Sequence, residues 1–511
     1  MKADKILRSN AIFTSLDKEP FPGFVAIKGD KIIAVGNGNE MDYLDSYTEV
    51  TDLGGQLICP GFVDVHCFFT GYLLMQTGID VSSCPTGENV LQAISSHSKM
   101  LKSGKPLLAR GLKPEIFFSV QTLDHLFPDI PIIIFIEGHE NCCMNSLAIS
   151  TYGFTPDKCY SEAYWKLLRY VLSDIEYSLR KFKDYLSMLN SRGITSIKEM
   201  GFDDYYSFTD ILKSLESQSA LTARIHFMSQ PVGAPMNLEY GKEMRKKFQG
   251  DFVRFSGYNQ MTDGSISQLE ADMKEPYLIA DTCCKLNINW IKLEQDTLTA
   301  DQNGFRFSLH AQGDGAIHKV LNIFSKCRKA KDGTILHRHA ITDLECSDPE
   351  DLEYMGKLGI TAEVYPQIMS LASRSEKVAV INETIGSERG KNYWNRRKME
   401  DSNVTLSCGT DLPLLFDDIP ESIYHAVFGL FPEGGEPFNP ENALSIDELL
   451  KAWTIGGQYN LGQDNILGTL EPGKKADIAV LDHNVFEVPI DEMRKVKVSL
   501  TMVDGKIVYR I

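Results

Sequence analysis

The sequence predicts an α/β protein: a (β/α)8 TIM-like barrel with a small β-sandwich domain formed from both chain termini. Three observations carry this. Strand-like runs alternate with amphipathic helical stretches through the middle of the chain, the pattern of parallel β/α units. Both ends read instead as short strands punctuated by turn signals. With 511 residues, 43% of them hydrophobic, the chain can fill one large core and a smaller one, and a barrel absorbs about 250 residues or more as one unit.

Taken in order, Ile6 to Phe13 is largely apolar, Gly23 to Ile27 alternates, and Lys31 to Val35 follows the Gly29–Asp30 turn signal. The C-terminal end mirrors this, with Asp477 to Leu481, Val498 to Val503 and, beyond Asp504–Gly505, Lys506 to Tyr509. These ends are expected to meet in one β-domain comprising residues 1–58 and 470–511, around a barrel at 59–469. Barrel strands are expected at Leu57–Val65, Ile194–Met200, Arg306–His310, Thr334–His339, Thr361–Tyr365 and Thr405–Gly409. Helices are expected over Ser161–Leu189, Gln312–Arg328 and Ile446–Tyr459, and residues at about 70–150 read as an insertion, a candidate lid.

The net charge of −17 and pI near 5.2 argue against a nucleic-acid or anionic-membrane partner, since either would be repelled. The start, MKADKILRSNAIFT, has no apolar run of signal-peptide length, and the apolar stretch Ile130–Ile136 is too short to span a bilayer. Eleven scattered cysteines without C-x-x-C indicate neither a zinc ribbon nor a disulfide framework. A reducing cytoplasm, a small-molecule substrate and pairing into a homodimer are the expectations.

Chemistry is expected where strands end, because side chains at the C-terminal ends of barrel strands face the mouth. His66 ends PGFVDVHCFF, His310 ends FSLHAQGD, His339 ends ILHRHA, and Asp411 follows in SCGTDLP. One buried histidine alone is ordinarily hydrogen-bonded core. Four such groups at separate strand ends instead suggest a divalent-ion site, since imidazole and carboxylate are what zinc and similar ions prefer.

Together with GHENCCMNSLAI, GITSIKEMG, MTDGS and the closing LGTLEPGKKADIAVLD, these motifs resemble the amidohydrolase superfamily. The likeness is to its amidohydrolase-3 branch, which includes N-substituted formamide deformylase-like enzymes. The resemblance covers nearly the whole chain. It implies a metal-dependent hydrolase of C–N bonds in amides, formamides or cyclic imides. It makes His66 the first histidine of a strand-one H-x-H pair, His310 and His339 the strand-five and strand-six metal ligands, and Asp411 the strand-eight proton carrier. The strand-four ligand falls at Glu199 or, if carboxylated, at Lys198; only one of these neighbours can point inward.

Phe68 stands where the second histidine of H-x-H would be. The expectation is therefore one ion, zinc by preference, on His310, His339 and Glu199 (or carboxylated Lys198), with His66 an auxiliary ligand or a group bound to substrate. His139, in the insertion, is a candidate substrate contact, with a surface role as the alternative. Asp314 could cap a helix or orient His310, Asp64 could orient a metal-binding histidine, Asp263 reads as a turn residue, and Cys67 as core. Two other readings stand beside the hydrolase: a metal-poor relative that binds a small ligand, and a metal-assisted isomerase or decarboxylase on the same scaffold.

Overall fold

The computed structural model describes residues 1–101, 105–137, 141–157, 163–203, 208–231 and 235–511. The termini form one eight-stranded sheet. Its members are β1 (Lys5–Ile12), β2 (Phe21–Lys28), β3 (Lys31–Gly36), β4 (Glu49–Asp52), β5 (Leu57–Pro60) and, from the far end, β18 (Ile478–Leu481), β19 (Val498–Val503) and β20 (Lys506–Arg510). They run in the order β20-β19-β18-β5-β1-β2-β3, with β4 also on β1. The join between the two ends is β5 against β18, antiparallel, with Ile58 opposite Val480.

The expected single strand Leu57–Val65 is two. Pro60 closes β5, and β6 (Phe62–Cys67) begins the barrel. Between them Gly61 passes so close to Thr195 that a Cβ would lie 2.3 Å from its side chain. The chain therefore changes sheets at a residue with no side chain to accommodate.

The barrel is an eight-stranded parallel sheet. After β6 come β11 (Ile194–Glu199), β12 (Arg224–Ser229), β13 (Val253–Met261), β14 (Arg306–Ala311), β15 (Ala340–Asp343), β16 (Thr361–Val364) and β17 (Leu406–Cys408). A parallel bridge between Cys67 and Leu412 brings the last strand's exit back to the first. The expected strand Thr334–His339 is displaced: Arg338 has φ +51°, a left-handed backbone that an extended strand cannot contain, so β15 starts only at Ala340. The expected helix Ser161–Leu189 is divided into Ala163–Leu172 and Ile175–Ser191, and Ile446–Tyr459 contains a turn of π-helix over Ala452–Gly456.

The insertion is a small α/β unit. Strands β7 (Ile79–Asp80), β8 (Leu107–Leu112), β9 (Ile132–Ile136) and β10 (Cys142–Met144) form a four-stranded sheet. It has its own core, including Val90, Ile94, Leu107 and Ile134. No helix among the described residues is long and apolar enough to cross a membrane, and Cys59, Cys67, Cys84, Cys143, Cys283, Cys284, Cys327, Cys346 and Cys408 are free thiols.

Candidate active site

Four side chains stand at the C-terminal mouth of the barrel in two close pairs, His66 with Asp411 and His310 with Asp343, on or just after four different strands. His66, 5% exposed, is the penultimate residue of β6. Its backbone N–H donates to Asp64 Oδ1 at 3.1 Å, and the same carboxylate accepts from Thr410 N at 3.1 Å and from the Thr410 hydroxyl. Asp64 thus ties β6 to the segment leaving β17. At that contact Gly409 has no room to spare, since a Cβ would lie 2.8 Å from His66 Cβ. Asp411 follows, its N–H donating to His66 O at 2.8 Å and its Oδ1 standing 3.7 Å from His66 Nε2.

His310 is delivered by β14 and is 7% exposed. Its Nε2 lies 3.2 Å from Asp343 Oδ2, and its Nδ1 lies 3.6 Å from Asp263 Oδ1. Asp343 ends β15 with φ +82° and is followed by Leu344 at +58°. Asp411 has φ +49°. Both mouth aspartates therefore occupy the left-handed region, which costs a non-glycine residue on the order of 1–3 kcal/mol and tends to persist at functional sites.

The electrostatics follow from crowding. Burial pushes the Asp411 carboxyl up to about 6; His66 and His310 pull it down, while Asp343 and Asp64 push it further. Burial opposes charge on His310, but Asp343 and Asp263 raise its imidazole above the ordinary value. The mouth is therefore short of positive charge. The Nδ1 atoms of both His66 and His310 are buried without a hydrogen-bond partner. Two imidazoles and two carboxylates, so placed, fit a divalent cation by donor type and by charge.

Below them lies a polar floor. Lys198 and Glu363, both fully buried, form an ion pair inside the barrel. Glu363 also accepts from Thr342 Oγ1 at 2.9 Å, Asn460 Nδ2 at 3.1 Å and Ser308 Oγ at 3.2 Å. Burial works against its charge, yet Lys198, His66 and Arg306 hold it well below the usual carboxylate range. Burial pulls the Lys198 ammonium down to about 7, with Glu363 acting against that. Glu363 Oε2 stands 3.7 Å behind His66 Nδ1.

Of the residues singled out from sequence, His66, His310 and Asp411 stand at the mouth; two others do not. Glu199 points away from the lumen. Both its oxygens accept from Phe69 N at 2.9 Å, and Tyr185 OH is 3.4 Å away, so it seats the first turn of the helix Phe69–Met75. Strand parity thus resolves the neighbouring pair towards Lys198, whose Nζ is engaged by Glu363, Ser308 and Asn460. His339 precedes β15 and lies at the opposite end of the barrel from the mouth. Its Nδ1 accepts from Phe307 N at 2.9 Å, so the ring proton is on Nε2, facing Asp301 Oδ1 at 3.1 Å. With both nitrogens used, His339 is a structural histidine. His139 lies outside the described residues.

The supporting residues also redistribute. Asp263, read as a turn residue, accepts from Gln312 N and Gly313 N at 3.0 Å each, where the helix Asp314–Phe324 begins. Asp314 instead accepts from Lys274 N at 2.8 Å. Asp64 orders the backbone of His66 rather than its ring. Phe68 stands at the start of the helix Phe69–Met75, its ring 5.4 Å from that of His66. Asp343 and Glu363 were missed from sequence. The signal for Asp343 was present in ITDLE, four residues after His339, had the strand been placed correctly.

Among the described residues, three donor atoms come within 4.8 Å of one another at Asp301, Cys327 and His339. The protonated His339 Nε2 offers no lone pair there, and Asp301 Oδ2 accepts from Arg328 N at 3.0 Å. These contacts make the group a packing contact at the barrel's far end.

A parallel barrel carrying histidine and aspartate at its mouth, flanked by a sheet from both termini, defines a class, and comparison with known proteins gives the family. The chain belongs to the Amidohydrolase family, whose model matches residues 49–509. It is 24% identical over 99% of its length to Protein LONG AFTER FAR-RED 3 of Arabidopsis thaliana, 92% of which is covered. Identity is 22% to the putative amidohydrolase YtcJ of Bacillus subtilis, covering 100% of this chain and 99% of that one. It is also 22% to the N-substituted formamide deformylase of Arthrobacter pascens, covering 95% and 94%. Among solved structures, an uncharacterized metal-dependent hydrolase from Pyrococcus horikoshii superposes with a TM-score of 0.74 at 21% identity, over 95% of this chain and 99% of the other.

Proposed function

We propose that this protein is a metal-dependent hydrolase that cleaves a C–N bond, in an amide, formamide or cyclic imide, of a small molecule. The observation that carries the reading is the placement of His66, His310, Asp343 and Asp411 at the mouth, on or just after four barrel strands. In this reading His66, His310 and Asp343 hold one divalent ion. With two carboxylates among four donors, manganese or iron joins zinc as a candidate. Such an ion, when bound, lowers the pKa of a coordinated water from about 15.7 towards ~7 and polarises a carbonyl.

The chain's own groups do the rest. Asp411 accepts a proton at its carboxylate and then delivers it to the departing nitrogen. A carboxyl pushed up to about 6 exchanges protons readily near neutral pH. Glu363, ionised by its partnership with Lys198, faces His66 Nδ1 and favours the proton there, leaving the Nε2 lone pair towards the mouth. Gln312 Nε2, donating to Asp343 Oδ2 at 2.6 Å, orients that carboxylate.

Metal counted per purified chain tests the assignment. About one ion is expected in the native protein, lost in His310→Ala and in Asp343→Ala, and retained in His339→Ala and Glu199→Gln. Full retention in the first two variants would sink it. Phe68, in place of a second strand-one imidazole, favours one other reading, a metal-poor relative that binds a small ligand. A chain that stays empty at saturating metal would support that alternative.

A further inference from the structure

Tyr365 stands at the mouth with a hydroxyl that the fold leaves unused. It follows β16, two residues after Glu363, whose carboxylate faces the barrel interior. Alternate residues of a strand share a face, so Tyr365 is directed inward as well, one level nearer the mouth. Its ring bears this out, lying 5.6 Å from that of His66 and edge-on to it at 73°. The residue is 5% exposed. Its backbone is held, since Tyr365 O accepts from Ile368 N at 3.2 Å and from Arg396 Nη2 at 3.0 Å.

The hydroxyl end is the telling part. Burial, then Asp411 and Asp343, act most strongly on it, and all raise its pKa well above the ordinary phenol value. It therefore lies among the mouth carboxylates, yet no described residue hydrogen-bonds it. Nor is it sealed in. His66 Nδ1 and His310 Nδ1 are shielded atoms without partners, whereas the Tyr365 oxygen is not among the shielded atoms and is open to solvent. Neighbouring hydroxyl and amide donors are committed. Thr262 Oγ1 donates to His310 O at 2.6 Å, Gln312 Nε2 to Asp343 Oδ2 at 2.6 Å, and the Thr410 hydroxyl to Asp64.

We propose that Tyr365 is a further catalytic residue of this mouth, its hydroxyl donating a hydrogen bond to the carbonyl oxygen of the bound amide. When water adds to the carbonyl carbon, the π pair of the C=O bond moves onto that oxygen. The phenol meets the developing charge without giving up its proton. A donor fixed in advance needs no reorganisation during the reaction and is worth most where water is scarce. A phenol suits the task because it keeps its proton at neutral pH, whereas the ionised carboxylates around it can only accept. This rests on the reading of the mouth as an amide-hydrolysing site. It adds a requirement on the substrate, an oxygen acceptor on the carbon attacked.

Isothermal titration of the purified protein with 2-pyrrolidinone and with 2-pyrrolidinethione tests it. The two rings share a shape and an N–H, and differ in an oxygen that accepts well against a sulfur that accepts weakly. The native protein is expected to bind the oxygen compound about fivefold more tightly. Tyr365→Phe keeps the ring beside His66, removes only the hydroxyl, and should lose that preference. Because the hydroxyl supports nothing in the fold, the variant should melt no lower than the native protein and hold the same metal per chain. A native protein that binds neither compound, or a variant that keeps the preference, would overturn the proposal. So would a lower melting temperature in Tyr365→Phe, which would make the hydroxyl structural. A native protein that purifies without metal, but prefers oxygen through Tyr365, would count against hydrolysis and still uphold the hydrogen bond.

Discussion

Asp411 combines a left-handed backbone, a crowded acidic neighbourhood and a carboxyl pushed up to about 6. Each feature opposes stability, the kind of local cost that a functional role at this residue would account for. Because its folded value exceeds the ordinary 3.8, the protonated form is favoured by folding. That contribution is present below about pH 3.8 and lost as the pH rises through 6. His310, also raised, acts in the same direction, its share being lost as the pH rises above the ordinary imidazole value. Asp411→Asn should therefore stabilise the metal-stripped protein at pH 8 by at most about 3 kcal/mol, with no gain at pH 4, while abolishing hydrolysis. The carboxyl is 29% exposed, so solvent screening lowers that figure. Melts of both proteins from pH 4 to 8 check it, and an Asp411→Asn protein less stable than the native one at pH 8 would contradict it. At this scale the sequence was legible where a motif fixed the position, as at His66, His310 and Asp411. It was not legible where strand parity decided between Lys198 and Glu199, or where the placement of β15 hid Asp343.

Among the elements, strand ends matter most, and their legibility followed the chemistry of the barrel interior. Strands β12 and β13 escaped notice because inward positions carry His226 and Asn259 rather than branched aliphatics, facing Lys198 and Ser308 in register. A polar lumen makes a buried strand read like a half-exposed one. The β15 error has a local cause, the left-handed Arg338, which no hydrophobic pattern signals. The contact between β6 and the exit of β17 yields a further prediction. Gly409→Ala forces a methyl against His66 Cβ, an overpacking that costs roughly 1–3 kcal/mol. It should lower metal affinity and kcat/KM by about tenfold or more, since a misplacement of this kind acts directly on a ligand, while the far-UV circular dichroism is unchanged. Native metal affinity in this variant would show that the Gly409 contact does not position His66.

For the whole molecule, the barrel and the terminal sheet are joined by a buried charge cluster. Arg224 of β12 meets Asp477 with Nε–Oδ2 at 2.9 Å and Nη2–Oδ1 at 3.0 Å, and also Asp504. Removing one partner of such a pair strands the other, so Asp477→Ala should cost about 3–5 kcal/mol. The double variant Arg224→Met, Asp477→Leu should recover most of that loss; urea melts measure both. That both termini would share one sheet was readable from their strand-and-turn pattern, whereas this cross-link was not, because its partners lie 253 positions apart. The central claim, that the mouth rather than any other cluster holds a metal, is tested most directly by anomalous diffraction from crystals of the purified protein. The account predicts one peak within about 2.0–2.3 Å of ring nitrogens of His66 and His310, and at similar range from Asp343. A peak at Asp301, Cys327 and His339, or none in crystals soaked with zinc or manganese, would contradict it.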